Sequence, residues 1–135
     1  MRPTWEQYAL NLAEAAKTRS EDPYMQVGAC ALRWDHSVAA TGYNGVKPGE
    51  TIDWSDRDKR RPFVIHAEKN CLRYVRIGEC ELLACTLLPC PDCLAEIARM
   101  RIPRVVYKEL YTTNKEVAQQ TFEDATKYGI DLKQI

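Results

Sequence analysis

His66-Ala67-Glu68, followed further on by Pro89-Cys90-Pro91-Asp92-Cys93, constrains this chain more than any other feature. One imidazole and two thiols form a three-ligand set of the kind that holds zinc, so two segments distant in sequence must meet in space. Both read as helix starts. A helix is expected from about Ile65 to Arg76, with His66 in its first turn. Pro91 suits the first position of another helix reaching about Met100, because proline there forfeits no helical hydrogen bond. Unpaired amides and the macrodipole at such starts favour negative charge and lower thiol pKa values, which helps hold Cys90 and Cys93 as thiolates. Two thiolates balance the charge of Zn²⁺. Three protein ligands leave a fourth position open, the pattern of catalytic rather than structural zinc. Water bound there would lose a proton near neutral pH. Glu68 is placed to carry protons without binding the metal.

Two plainer readings compete. A lone C-x-x-C can be a redox pair. A structural zinc would need a fourth protein ligand, from Cys71, Cys80, Cys85 or His36. Cys71 lies five residues past His66 on the same helix and so points elsewhere, and His36 falls in a hairpin turn. Cys30 and Cys85 lie within strands, where free cysteine behaves as a small core residue. The open catalytic set is the reading that remains.

Composition narrows the partners. The chain has 135 residues, expected to form one domain over residues 1–135, with 19 basic and 19 acidic side chains and no net charge. Polynucleotide binders carry a basic excess, so long DNA or RNA is not the expected ligand. No apolar run approaches the roughly 20 residues that a membrane span needs. The residues from Met1 to Trp5 lead into an amphipathic segment without a signal-peptide core. Six cysteines without secretion signals then read as metal chemistry in a reducing, cytoplasmic setting.

Periodicity supplies the frame. Thr4 and Gln7 form a capping box ahead of the apolar stripe Trp5, Tyr8, Ala9, Leu12, Ala13 and Ala16. Gln26–Trp34 and Val38–Tyr43 read as a hairpin turning at Asp35-His36-Ser37. Residues 44–62 form the longest irregular stretch, of a length more often functional than idle. Strands follow at Glu81–Leu88, Arg104–Tyr107 and Ile130–Leu132. A last helix, from Asn114 or Lys115 to Tyr128, is closed by Gly129. The order α-β-β-α-β-α-β-α-β predicts an α/β fold, a mixed sheet layered with helices.

The spacing H-x-E…P-C-x-x-C is the known signature of zinc-dependent deaminases. The chain resembles the cytidine deaminase superfamily, and within it the deoxycytidylate (dCMP) deaminase branch. Arg19-Ser20-Glu21-Asp22-Pro23, Gln26-Val27-Gly28-Ala29-Cys30 and Gly42-Tyr43-Asn44-Gly45 are similar to that branch's segments in the same order, as are Trp5, Tyr8 and Val105-Val106-Tyr107. The resemblance implies a three-layer α/β/α fold around a five-stranded mixed sheet. It implies cytoplasmic nucleotide metabolism and hydrolytic deamination of a small pyrimidine nucleotide, dCMP to dUMP plus ammonia. The alternatives are another cytosine compound, adenosine in tRNA, or a zinc-stabilised module without activity.

By the same resemblance, His66, Cys90 and Cys93 would hold one Zn²⁺ per chain, with Glu68 as proton shuttle. The Ala67 amide would meet the pyrimidine carbonyl, and the Leu88 carbonyl the leaving amino group. Asn44 would bond near the sugar, Val27 would line the sugar side, and Tyr111 would stack on the base. Assembly as a homo-oligomer, a dimer or hexamer, is implied too. The chain departs from the branch at Val46-Lys47-Pro48-Gly49, where the proline is shifted by one. The stretch Val46 to Ile65 also supplies no second zinc site, which weighs against control by dCTP and dTTP. For a phosphate, the candidates are Arg19, Arg57, Lys59, Arg60 and Arg61, because the guanidinium fork suits phosphate. The competing reading of Arg57-Asp58-Lys59-Arg60-Arg61 is a solvated loop of mixed charge.

Overall fold

The sheet runs β2 (Val38–Tyr43), β1 (Gly28–Arg33), β3 (Cys80–Leu87), β4 (Arg104–Glu109), β5 (Asp131–Gln134), antiparallel through its first three strands and parallel from β3 to β5. This computed structural model describes residues 1–110 and 114–135. The helices are α1 (Trp5–Lys17), α2 (Arg57–Arg60), α3 (Ala67–Leu72), α4 (Pro91–Arg99) and α5 (Lys115–Tyr128), with a 3₁₀ turn at Arg61–Phe63.

Alternation along the strands makes three layers. On one face Cys30, Leu32, Leu82, Ala84 and Val106 pack against Ala9, Leu10 and Ala13 of α1. On the other, Ala29, Ala31, Leu83, Cys85 and Val105 pack against residues of α3, α4 and α5, Leu94 and Ile97 among them. Leu82, Leu83, Ala84 and Cys85 thus point to opposite layers in turn, as the pleat of a strand covered on both faces requires. The result is the expected three-layer α/β/α arrangement around a five-stranded mixed sheet. No helix among the described residues is long and apolar enough to cross a membrane.

Several boundaries differ from expectation, each for a local reason. At the start of α1, Thr4 Oγ1 accepts from the Gln7 amide at 3.1 Å. The Gln7 side chain turns forward to Asn11 instead, so only half of the capping box forms. β1 begins at Gly28 rather than Gln26, because the Val27 amide donates to the Asn44 side chain at 2.9 Å and leaves the ladder. α3 begins two residues late, since Ile65 is extended and exchanges two backbone hydrogen bonds with Gly45. It ends at Leu72, where Tyr74 and Val75 make tighter i−3 bonds to Cys71 and Leu72. The stretch 44–62 is not wholly irregular. Asp56 caps α2 by accepting from the amides of Asp58 and Lys59.

Two glycines matter to the site. A Cβ on Gly42 would lie 2.5 Å from the Cys71 nitrogen, so β2 can approach α3 closely only with glycine there. Gly129 closes α5 at φ 70°, as expected of a left-handed cap.

A candidate metal centre and its cleft

His66 and Cys90 occupy equivalent places at the N-caps of α3 and α4, both in extended backbone. In His66 the ring caps nothing, which leaves it free for other use. Cys90 Sγ accepts from the Cys93 amide at 3.5 Å, and Pro91 occupies the first turn. An ion pair between Lys69 and Asp92 joins the two helix starts at the surface. The Thr121 hydroxyl of α5 donates to the Pro89 carbonyl at 2.9 Å from a fully buried position, and so anchors the segment ahead of Cys90.

These supports bring the three ligand atoms of His66, Cys90 and Cys93 within 4.8 Å of one another. His66 Nδ1 lies 3.2 Å from Cys93 Sγ and 3.6 Å from Cys90 Sγ. Cys93 is buried, Cys90 half-buried, and the histidine exposed on the cleft side. The alternatives for a fourth ligand stand elsewhere. Cys71 Sγ faces the Ala40 carbonyl, Cys80 and Cys85 are buried in β3, and the His36 ring stacks on Trp5 with centroids 4.5 Å apart. All six cysteines are free thiols.

The donor set fits zinc. Its hydrogen bonds to the Cys93 thiol, His66 and the Cys93 amide hold the Cys90 thiol down at about 4, despite burial. The Cys93 thiol is pushed up, because it bonds the Cys90 sulfur and is buried. His66 is raised by its bond to Cys90. The two sulfurs thus share protons as one coupled group. A dication would displace those protons and let both sulfurs become anionic.

Glu68 is 4% exposed, and loss of water pushes its carboxyl up, partly opposed by the Cys93 thiol and His66. A carboxyl raised toward neutrality can both take and return a proton, which a low-pKa carboxylate does poorly. It faces a cleft of about 630 Å³.

Of the expected site residues, Val27, Asn44, Arg57, Arg60, Arg61, Ala67 and Leu88 all line that cleft with His66, Glu68 and Cys90. Arg19 and Lys59 do not; both are exposed at other surfaces. Tyr111 lies outside the described residues. Asn44 lines the wall, but its side chain is already engaged. Its Oδ1 accepts from Val27, and its Nδ2 donates to the Met25 carbonyl at 2.8 Å. The sequence reading passed over Asp22 and Thr121. Asp22, expected only within the Arg19–Pro23 segment of the resemblance, is 4% exposed in the cleft wall and paired with Arg60. Nothing in its local pattern marks a partner far along the chain. Thr121 carried no signal at all.

The family model for the cytidine and deoxycytidylate deaminase zinc-binding region matches residues 3–109. Deoxycytidylate deaminase of Saccharomyces cerevisiae is 31% identical over 147 aligned positions, covering 99% of this chain and 46% of its own length. That of Mycobacterium phage D29 is 34% identical over 126 positions, covering 78% of this chain and 95% of its own. The crystal structure of dCMP deaminase from cyanophage S-TIM5, in complex with dCMP and dUMP, is similar with a TM-score of 0.84. Its sequence is 27% identical, with 100% of this chain and 99% of that chain covered. This chain spans less than half the length of the yeast relatives and 64% of the human one.

Proposed function

This chain belongs to the cytidine and deoxycytidylate deaminase family, and from that premise we propose that it hydrolyses dCMP to dUMP and ammonia. One zinc ion per chain would be held by His66, Cys90 and Cys93. When bound, zinc supplies Lewis acidity that makes water acidic enough to act as a nucleophile near neutral pH. The remaining chemistry belongs to side chains and backbone. Glu68 takes a proton from the attacking water and passes it to N3 of the pyrimidine. The proton left on the new C4 hydroxyl then goes, again through Glu68, to the departing amino group as the C4–N bond breaks. Water's oxygen stays on C4 and ammonia leaves. The Ala67 amide, at the first position of α3, suits the pyrimidine carbonyl, and the Leu88 carbonyl suits the amino group. Val27 and Asn44 form the sugar side.

One observation carries this reading. His66, Cys90, the buried Glu68 and three arginines line one cleft, and the third donor, Cys93, lies behind its wall with Sγ 3.2 Å from the His66 ring. The gathering of Arg57, Arg60 and Arg61 into the wall of this cleft, in a chain of no net charge, supports a ligand that carries a phosphate. Cytoplasmic action and assembly as a dimer or hexamer belong to the same proposal.

The test is ammonia release from cytosine, deoxycytidine, CMP, dCMP and dCTP. We expect the highest kcat/KM with dCMP. Turnover of another compound with none from dCMP overturns the assignment.

A further inference from the structure

The three arginines of the cleft are held differently. Arg57 and Arg61 are exposed, whereas Arg60 is only 8% exposed. A buried guanidinium needs compensation. Arg60 Nη1 donates to Asp22 Oδ2 at 2.8 Å, and the guanidinium lies over the Tyr24 ring, 4.3 Å from its centroid. Those contacts leave its Nε buried and without a hydrogen-bond partner among the described residues. Buried donors in folded proteins are nearly always satisfied, so an unpartnered one beside a cleft points to an acceptor beyond the described residues.

The chemistry of that acceptor follows from charge. Asp22 neutralises Arg60, yet Arg57 and Arg61 line the same cleft as further cations. They add positive charge around the buried guanidinium, and an oxyanion is the acceptor that suits both that charge and an arginine. Asp22 also fixes more than Arg60. Its Oδ1 accepts from the amides of Tyr24 and Met25 at 2.8 and 3.2 Å, and its Oδ2 stands 3.5 Å from Asn44 Nδ2. Asn44 in turn holds the Val27 amide. The guanidinium is therefore tied through one carboxylate to the wall formed by Asn44 and Val27.

We propose that Arg60 is the residue that reads the nucleotide's phosphate, and that Asp22 is a positioning residue that holds its guanidinium and sets its distance from the Asn44 wall. This rests on the reading of the cleft as a nucleotide deaminase site. It singles out one cation from five and makes a buried carboxylate, seemingly the wrong charge beside a phosphate, part of phosphate recognition.

The test uses the zinc-loaded full chain and compares wild type with Arg60→Gln, Arg60→Lys and Asp22→Asn. Steady-state kinetics with dCMP and deoxycytidine are paired with calorimetric binding of dUMP and deoxyuridine. Arg60→Gln should lower the dCMP-to-deoxycytidine ratio of kcat/KM on the order of 100-fold, the loss expected of charge-assisted hydrogen bonds. dUMP affinity should fall far more than deoxyuridine affinity. Arg60→Lys keeps the charge but not the fork, and should lose about tenfold in the same ratio. Asp22→Asn should raise KM for dCMP more than it lowers kcat. Should Arg60→Gln fold poorly, Arg60→Lys decides. Equal losses with both substrates and both products would make the pair purely structural and overturn the proposal while the dCMP assignment stands. A wild type that ignores dCMP overturns both.

Discussion

His66, Cys90 and Cys93 sit at the first turns of α3 and α4, whose next residues are packed into the core through Cys71, Leu94 and Ile97. Arg57, Arg60 and Arg61 ride on a four-residue helix and a 3₁₀ turn that contribute no residue to either core cluster. The two regions face one cleft but are held by different forces. Apolar burial, which is non-directional and spread over many atoms, supports the metal corner. A single buried ion pair, Asp22 with Arg60, ties the arginine segment to the body at this wall. The proposed chemistry would thus stand on packed elements, where side chains can be exchanged without moving the frame. The proposed phosphate recognition would rest on the few contacts of Arg60, with Asp22 and the Tyr24 ring, where removing a partner would harm both the ligand site and the fold.

The sharpest test of that contrast is Glu68→Ala. The metal corner should survive it, with zinc retained by elemental analysis, while ammonia release falls at least about 100-fold, the low end for loss of a positioned acid–base group. Loss of zinc together with activity would mean that the carboxylate supports the centre rather than the reaction.

Asp22→Ala should do the reverse and damage the fold. It leaves Arg60 buried without its counter-ion, a loss of about 3–5 kcal/mol for such pairs, measured as a drop in the denaturant midpoint. Adding Arg60→Leu should recover part of that loss, since the uncompensated charge is then gone. If the double variant is less stable than Asp22→Ala alone, the pair is not what holds this wall.

A smaller effect separates core thiols from site thiols. Burial pushes the Cys30 thiol up to about 12 and the Cys80 thiol to about 11. Folded values above the unfolded one mean that the unfolded state releases these protons first as pH rises. Their contribution is therefore intact below about pH 9, the ordinary thiol value. It declines through the window up to about 11 to 12. Chemical denaturation of Cys30→Ala and wild type across that range should show a shallower decline in the variant. Parallel curves would remove the argument.

The least change is expected from Lys59→Ala and Arg19→Ala, whose side chains lie outside the cleft. Stability should move within about 0.5 kcal/mol, as for isolated surface positions. kcat/KM for dCMP should stay within about twofold, because screened charges off the binding wall contribute little. A tenfold loss in Lys59→Ala would show that the wall extends further along α2 than its cleft-facing arginines.

Element type, order and layering were legible because apolar periodicity and caps are local properties. Trp5 to Ala16, Val38 to Tyr43 and Lys115 to Gly129 each carried their own signal. Boundaries failed where a side chain from elsewhere replaced a backbone partner, as Asn44 does for Val27, or where a distant strand claimed a residue, as Gly45 claims Ile65. Asn44 was legible as a cleft residue through family resemblance alone. That its amide is committed to Met25 and Val27 was not.

Sequence by itself determined the donor set, the glutamate beside it and the family, because ligand type and spacing are written in adjacent residues at two helix starts. Tertiary structure alone decided which arginine is buried, that Asp22 faces it from 38 positions away, and that Thr121 anchors the Pro89 segment. Those contacts depend on how the layers pack, and a charged residue carries no mark in its local pattern of whether packing will leave it in water or seal it against a counter-ion.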